Sequence, residues 1–366
     1  MYIEDLALTM TQGLGVKGIV HLLEVFGDAR SIFAASREEL IHRAELRPGV
    51  ADELLHKGGF AMAERELKHC EHHAIRPIAS TDAEYPALLR EMPDYPHVIY
   101  VTGDPKALSE RTLSIVGTRT ATPYGQEQTR RLVGELSERI PDLKIISGLA
   151  FGIDVAAHRA AIEHGVRTVA VVANPLPEIS PVQHTSVARD ILRTGGAIVS
   201  ELHSQTKLKG VHYLSRNRLI AGLSAGCIVV ESPAGGGSLV TAQYADDYHR
   251  TVMAVPGRIN DRNSLGTNHL IRTRKAQLIT SASDIIAELM WDLGENPAAF
   301  REQPTTTSLT RDEAGLLGCF RSSDPVTLDE LHALTGVEAG ELTALLIGLE
   351  LAGYVRQLPG NRYLKL

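Results

Sequence analysis

The sequence of 366 residues lacks the features that mark several classes of protein. Its three cysteines, Cys70, Cys227 and Cys319, are too scattered for a disulfide framework and predict a reducing, cytoplasmic location. No apolar run reaches 18 residues, so no membrane span is expected, and the first residues lack the basic segment of a secretory signal. Net positive charge is also absent, since 44 acidic and 37 basic residues give −7, which argues mildly against a nucleic-acid partner.

What the sequence contains divides into three regions and a linker. Residues 1–75 carry apolar residues at helical spacing, which predicts a small helical domain of the sterile-alpha-motif or helix-hairpin-helix type. Residues 76–292 alternate Val/Ile/Ala-rich strands with amphipathic helices, which predicts an α/β core built on an extended Rossmann-like parallel sheet. Residues 293–309 are polar and rich in Pro and Thr, which is typical of a linker, and residues 310–366 have the element order of a winged helix. The predicted core strands lie in TLSIVG, KIISG, RTVAVVA, GAIVS, GCIVVE, RTVMAVP and AQLIT.

The segment SIVGTRTATPYG, residues 114–125, has the form of a phosphate-binding turn between a strand and a helix. Gly117, Thr118 and Arg119 follow the strand, and the guanidinium group of Arg119 can bind phosphate oxygens. The G-x-G-x-x-G pattern of nicotinamide enzymes is absent, and the next strand ends in IISGLAFG without the acid that would bind the ribose. The pattern therefore favours a phosphate site over a dinucleotide site.

A second candidate anion site follows the strand CIVVE, in SPAGGGSLVTAQYA. Gly236 and Gly237 lead into a helix and can form a nest of backbone N–H groups, with Ser238 and Thr241 as hydroxyl caps. The alternative is a flexible turn that binds nothing.

Two stretches of the core concentrate positive charge. In KLKGVHYLSRNRLIAGLS, cations without an intervening acid accompany the aromatic Tyr213, a combination that suits single-stranded nucleic acid. The cations of this first stretch are Lys207, Lys209, Arg216 and Arg218. The second stretch, RTVMAVPGRINDRNSLGTNHLIRTRK, includes Arg258, Arg274 and Lys275. Both stretches lie beside strand ends of one sheet and are predicted to converge on the phosphate turn; the alternative is that each is a solvated face.

Two polar clusters favour structural roles. Asp154 and His158 lie one helical turn apart and could do acid–base chemistry, but the preferred interpretation is that Asp154 stabilises a helix N-terminus and His158 satisfies it locally. His69 and His73 in KHCEHHA could hold a metal, but no second pair of ligands follows at a suitable spacing. No metal site is predicted.

Five ordered motifs resemble the DprA/Smf family of DNA-processing proteins: SIVGTRTATPYG, ISGLAFGIDVAAHRAAI, SRNRLIAGLS, GSLVTAQYA and AVPG followed by SLGTNHLI. The resemblance covers the whole chain, including a C-terminal winged helix. It implies a homodimer that binds single-stranded DNA cooperatively in natural transformation, loads the RecA recombinase onto it and helps to overcome single-strand-binding protein. It implies no established catalytic step, no metal and no cofactor.

The resemblance also assigns site residues. The arginine of the family's G-S/T-R motif, which binds DNA phosphate, matches Arg119, and the aromatic before R-N-R matches Tyr213. The full set of expected single-stranded DNA or phosphate contacts is Gly117, Thr118, Arg119, Lys209, Tyr213, Arg216, Asn217, Arg218, Gly236, Gly237 and Ser238. Additional candidate contacts are Lys207, Arg258, Arg274 and Lys275. The chain departs from the family pattern at Tyr213-Leu214-Ser215, where Phe-Pro is usual, in VVANPLPEISPVQH, and at RTRKAQLI.

Two other functions fit parts of the sequence. Rossmann-like nucleotide phosphoribohydrolases of the lysine-decarboxylase-like superfamily use P-G-G-x-G-T-x-x-E, but here Thr241 stands where the carboxylate belongs. A winged-helix regulator with a nucleotide-sensing core is the other alternative. The C-terminal helix EAGELTALLIGLELAGY has three Glu and no Lys or Arg, so it is predicted to read a DNA groove poorly and to contact protein instead.

Overall fold

The structure is a computed structural model that describes residues 1–109, 111–291, 310–320, 325–351, 354–358 and 362–365. The chain forms two compact units, Met1–Gly294 and Glu295–Leu366. The predicted domain boundaries at residues 75, 292 and 309 remain predictions, and the predicted linker lies outside the described residues.

Six helices begin the first unit: α1 (Ile3–Thr9), α2 (Val16–Phe26), α3 (Ala29–Ala34), α4 (Arg37–His42), α5 (Pro48–Leu55) and α6 (Phe60–His72). Ser36 and Glu39 start α4 with a reciprocal capping box, which satisfies two N–H groups at the helix terminus. Leu22, Ile32 and Leu40 are fully buried between these helices. The helices also pack on the sheet that follows, since residues of α1 and α6 share a core with its first strands.

The sheet of the first unit has nine strands: β1 (Arg76–Ala79), β2 (Val98–Gly103), β3 (Thr112–Val116), β4 (Lys144–Ser147), β5 (Arg167–Val171), β6 (Ala197–Ser200), β7 (Gly226–Val229), β8 (Thr251–Ala254) and β9 (Gln277–Leu278). Their order is β1-β2-β6-β5-β4-β3-β7-β8-β9. Strands β3 to β9 lie in the seven predicted segments and are parallel. The predicted α/β fold class is therefore confirmed.

Strand β2 pairs antiparallel with both β1 and β6, so the sheet is mixed, although most of its strands are parallel as expected. Strand β1 is a four-residue edge strand that contains Pro77, a pattern too short to identify from sequence. Strand β2 has the composition of a buried strand, but only its pairing with β6, Val101 opposite Val199, gives its direction.

Nine helices connect or cover the described strands of this sheet: α7 (Ala87–Arg90), α8 (Pro123–Arg139), α9 (Ile153–Glu163), α10 (Thr185–Arg193), α11 (Gly210–Ser215), α12 (Asn217–Gly222), α13 (Ser238–Asp247), α14 (Leu265–Arg272) and α15 (Ala282–Glu288). Buried side chains alternate along β3, with Ile115 in the core on one face and Val116 in the core on the other. The chain passes from β3 to β4, β5 and β6 on one side, and β7 to β9 continue on the other. The strand order thus reverses between β3 and β7, which is where open α/β sheets bind ligands.

The second unit contains α16 (Arg311–Gly318), β10 (Val326–Thr327), α17 (Leu328–Thr335), α18 (Ala339–Leu351), β11 (Val355–Leu358) and β12 (Arg362–Lys365). Its sheet has the order β10-β12-β11, and Leu331, Leu342 and Leu346 are fully buried against one another. The predicted winged helix is confirmed, with α16 and β10 added before the two predicted helices. The predicted turn at Pro359–Gly360 lies outside the described residues.

Candidate nucleic-acid interface

A cavity of 340 Å³ opens at the carboxyl ends of β3 and β7, where the strand order reverses. It brings together nine of the eleven expected site residues: Gly117, Thr118, Arg119, Tyr213, Arg216, Asn217, Gly236, Gly237 and Ser238. Residues that sequence reasoning did not assign to a ligand site also line it, among them Asp154, Leu214 and Ile220. The predicted phosphate turn, glycine-rich loop and part of the first cationic stretch therefore meet.

The turn that carries Arg119 is held closely on its neighbours. The N–H of Thr118 donates to the main-chain oxygen of Glu231 at 2.7 Å, which ties the end of β3 to the end of β7. A Cβ atom on Gly117 would lie 2.5 Å from Ile153, and one on Gly152, whose φ is +78°, would lie 2.1 Å from the Thr118 oxygen. Glycine is therefore required at both positions for the turn to approach helix α9. Arg119 itself is exposed at the cavity.

Glu231 stabilises the same turn and was not identified from the sequence. Its buried carboxylate accepts hydrogen bonds from the N–H of Thr122 at 2.9 Å and from the Thr122 hydroxyl at 2.5 Å. Thr122 in turn accepts the N–H of Gly125 and caps helix α8. An acid at the end of the strand CIVVE is the signal that could have indicated this role.

The glycine-rich loop has a different cap from the predicted one. Gly237, not Ser238, is the N-cap of α13, and Ser238 is the first helical residue. The Ser238 hydroxyl donates to the hydroxyl of Ser232 at 2.9 Å, so it anchors the loop instead of capping the helix. A Cβ atom on Gly236 would lie 2.3 Å from the same Ser232 hydroxyl, whereas one on Gly237 would meet nothing within 4 Å. The N–H groups of Leu239 and Val240 donate to the main-chain oxygens of Gly236 and Gly237 at 3.1 and 3.2 Å. The groups that remain for an anion here are the N–H groups of Gly237 and Ser238, at the start of α13.

Arg216 lies in the cavity wall and is buried, and its expected contact with DNA phosphate stays a prediction. Its Nη1 donates to the carbonyl oxygen of Gly148 at 2.6 Å and to that of Val171, at the ends of β4 and β5. Burial lowers the pKa of Arg216, and the nearby Asp154 carboxylate opposes this change. Arg216 therefore joins strand ends and supplies fixed positive charge to the cavity wall.

The partners of the Asp154 carboxylate differ from the predicted partner, His158. Asp154 lies in the first turn of α9, as expected, but it is buried near Arg216 and its carboxylate accepts backbone N–H groups of Gly148 and Ala150. His158 does not pair with it: its Nδ1 lies 2.7 Å from the Thr168 hydroxyl, and burial lowers its pKa to about 3. Burial raises the pKa of Asp154, an effect that the Arg216 charge opposes.

Arg218 lies outside the cavity, which corrects its expected role beside Arg216. Its guanidinium group is buried, pairs with the Glu201 carboxylate and donates to the main-chain oxygen of Asp94 at 2.6 Å. Residues two apart on a helix face different directions, so the two arginines of R-N-R cannot both point into one cavity. Asn217, between them, donates to the Gly237 oxygen at 3.5 Å and connects α12 to the glycine-rich loop.

Tyr213 lies at the cavity with its ring half-buried and its hydroxyl 3.1 Å from the hydroxyl of Ser180. Lys207 and Lys209 are exposed just before α11 and do not line the cavity. The side chains of the second cationic stretch, Arg258, Arg274 and Lys275, are exposed but are likewise absent from the lining. Of the two cationic stretches that were predicted to converge on the phosphate turn, only part of the first reaches the cavity.

Two further sequence expectations concern metals and membranes. The ring nitrogen Nε2 of His69 lies 3.0 Å from the main-chain oxygen of Leu176, and the His69 and His73 rings are 4.5 Å apart. Across the described ranges, no group of three or more His, Cys, Asp or Glu side chains could hold a metal ion. No helix in that same part of the chain is long and apolar enough to cross a membrane.

The fold combines a Rossmann-like α/β core, with a cavity where its strand order reverses, and a winged helix in the second unit. Residues 76–290 match the family model of DNA recombination-mediator protein A, and residues 300–361 match that of the DprA winged helix domain. The chain therefore belongs to the DprA/Smf family of DNA-processing proteins.

Individual relatives agree with this membership. The chain is 35% identical over 302 residues to protein Smf of Escherichia coli, covering 81% of this chain and 78% of that one. It is similar to the X-ray structure of DNA processing protein A from Streptococcus pneumoniae, with a TM-score of 0.68, 29% identity, and coverage of 79% of this chain and 98% of that chain. It is also similar to DNA processing protein A from Helicobacter pylori, with a TM-score of 0.53, 29% identity, and coverage of 60% and 97%.

Proposed function

We propose that this protein binds single-stranded DNA without sequence preference in the 340 Å³ cavity. The observation that carries the proposal is the meeting of three groups in that cavity: the exposed cation Arg119, the aromatic Tyr213 and the N-terminus of α13. The structure of the Helicobacter pylori relative is described as showing a single-stranded DNA binding mode of that protein, which supports the same ligand here.

Each group has a distinct part in the proposed complex. Arg119 binds a phosphate through its guanidinium N–H groups, and the N–H groups of Gly237 and Ser238 at the start of α13 bind a neighbouring phosphate. The ring of Tyr213 stacks on a base, an interaction that every base can make. Arg216 is fixed by two carbonyl oxygens and adds positive charge without itself having to move.

We propose binding, not catalysis, as the task of the cavity. The position at which the phosphoribohydrolase motif needs a carboxylate is Thr241, which is buried in the cavity wall. Of the acids nearby, Asp154 is buried near Arg216 and Glu231 binds Thr122 through both oxygens. Incubation with nucleoside monophosphates should release no free base; release that Asp154→Asn abolishes would support the hydrolase instead.

The decisive test replaces Arg119 by Glu in the full chain. We expect affinity for a fluorescent oligothymidylate at fixed salt to fall by about a hundredfold or more, because a charge-assisted bond of about 1.5–3 kcal/mol is replaced by repulsion. Arg159→Glu is the matched control, since Arg159 is also exposed but does not line the cavity. Equal affinities for the two variants would contradict the proposed site.

The finer parts of the proposal follow from family membership. We propose that the protein acts as a cytoplasmic homodimer in natural transformation, loads RecA onto single-stranded DNA and counteracts single-strand-binding protein. The family description as a recombination mediator supports this role, and the three free cysteines are compatible with a reducing compartment. Addition of the protein should increase RecA assembly on DNA coated with single-strand-binding protein, and Arg119→Glu should not.

A further inference from the structure

A second cavity, of 190 Å³, adjoins the first and has Arg119, Tyr213 and Arg216 in common with it. Its other walls come from the β4–α9 turn, which supplies Phe151, and from the loop after β5, which supplies Ser180 and Pro181. The space is smaller than the 300–1,000 Å³ typical of drug-sized ligands, so it suits a single ring. Arg119 and Tyr213 thus lie at the boundary between the two cavities.

Phe151 is a large aromatic residue that is exposed in the turn between β4 and α9. Its side chain is 44% exposed, and it lies outside the hydrophobic core clusters of the described residues. Full burial of a Phe side chain contributes about 1.5–3 kcal/mol to the free energy of folding, and the exposed Phe151 lacks part of this stabilisation. An exposed aromatic at the rim of a cationic cleft is the arrangement by which proteins stack unpaired bases.

The ring of Phe151 is also held in place. It packs against the ring of His184 with centroids 4.7 Å apart and planes inclined by 62°. His184 is itself buried, with Nδ1 2.7 Å from the main-chain oxygen of Leu149. Leu149 has φ of +57° and Gly152 has φ of +78°, so the turn has a defined and, at Leu149, strained backbone. The aromatic surface is therefore positioned before any ligand arrives.

We propose that Phe151 is a second base-stacking residue and that the two cavities hold consecutive nucleotides on either side of Arg119. Arg119 binds the phosphate between them, one base lies against Phe151 and Pro181, and the next lies in the larger cavity beside Tyr213. This inference rests on the proposed binding of single-stranded DNA and adds a subsite to it. Because paired bases are stacked inside a duplex, they cannot enter this space, so Phe151 favours single over double strands.

The test compares full-length variants on two ligands: an oligothymidylate and an oligonucleotide of equal length whose sugars lack bases. Phe151→Leu keeps an apolar side chain but removes the aromatic face. We expect it to lose about tenfold in affinity for oligothymidylate and to bind the abasic strand as the unaltered protein does. Tyr124→Leu is the matched control, because Tyr124 is also 44% exposed but lines neither cavity, and it should bind both strands normally.

Phe151→Trp supplies an independent readout, since the chain has a single tryptophan and the signal of the unaltered protein can be subtracted. Oligothymidylate should quench the new emission, and the abasic strand should not. Normal binding of oligothymidylate by Phe151→Leu, equal losses on both strands, or no quenching would each overturn the subsite while leaving the proposed function intact. Failure of the unaltered protein to bind either strand would instead overturn the proposed function, and the subsite with it.

Discussion

The two cationic stretches of the core look alike in composition but occupy different places. The first, around residues 207–218, connects β6 to β7, which lie on opposite sides of β3 in the sheet. Its chain must pass over the carboxyl edge of the strands between them, so Tyr213 and Arg216 enter the cavity. The second, around residues 251–275, connects the neighbouring strands β8 and β9 at the end of the sheet. Positive charge in the sequence therefore does not show by itself which residues reach the cavity. The route of the chain between two strands decides this.

The same lesson applies within the first stretch. Arg216 and Arg218 have similar burial and the same chemistry, yet one lies at the cavity and the other is paired with Glu201. Removal of a buried cation leaves its partners uncompensated and lowers stability, whereas removal of an exposed cation has little effect on stability and can weaken the binding of an anionic ligand. Variants of the two stretches can therefore be compared in two ways, by their free energy of unfolding and by their affinity for single-stranded DNA.

The largest expected effect is on stability. Arg216→Met should lower the free energy of unfolding by about 3 kcal/mol or more, because it leaves Asp154 and two carbonyl oxygens without their buried cation. Arg274→Met, at an exposed position of the second stretch, should change it by less than about 0.5 kcal/mol. Urea unfolding measures both, and similar values would show that the burial of Arg216 has no energetic consequence.

The next effect is on base stacking in the first stretch. Tyr213→Ala should weaken oligothymidylate binding by about 1–3 kcal/mol because the ring face is removed. Tyr213→Phe should cost less than about 1 kcal/mol, since only the hydroxyl contact with Ser180 is removed and water can replace it. Fluorescence anisotropy titrations distinguish the two variants. Equal losses would implicate the hydroxyl, and an Ala variant with normal affinity would exclude Tyr213 from the site.

A smaller effect concerns the exposed lysines beside α11. Double replacement of Lys207 and Lys209 by Ala should reduce the dependence of log affinity on log salt by about 0.7 for each phosphate that these lysines neutralise. Lys207 and Lys209 directly precede α11, which carries the cavity residue Tyr213, whereas Arg274 and Lys275 lie between α14 and β9 at the end of the sheet. The same change at Arg274 and Lys275 should therefore leave the slope unaltered. A reduced slope in the second variant alone would place the DNA on the second stretch.

The smallest expected effect is that of removing the second unit. Helix α18 has no Lys or Arg, so truncation after Gly294 should alter oligothymidylate affinity by less than about threefold. The truncated chain corresponds to one compact unit, and its circular dichroism and oligomeric state provide the control. Loss of binding on truncation, with normal binding by full-length Arg119→Glu, would transfer the site to the winged helix.

Those parts of the fold that depend on local pattern could be predicted from the residues alone. The seven parallel strands were predictable because each is a short apolar run between helical segments, and parallel order followed from that alternation. The positions of Arg119 and of the glycine-rich loop were also predictable, since carboxyl ends of parallel strands lie on one edge. The winged helix followed from the order of its elements.

The packing of distant elements sets which side chains face the cavity and which bind partners elsewhere in the protein. The burial of Arg216, the pairing of Arg218 with Glu201 and the anchoring of Ser238 on Ser232 depend on partners distant in sequence or on helix phase. Phe151 was missed because a lone aromatic has no pattern of its own, and Glu231 was missed because an acid at the end of a strand does not show which group it binds. Their roles arise from what the fold places beside them, Thr122 in one case and a second cavity in the other. The periodicity of apolar residues indicates which face of a helix or strand is buried. The contacts of a single side chain depend instead on how the helices and strands pack together.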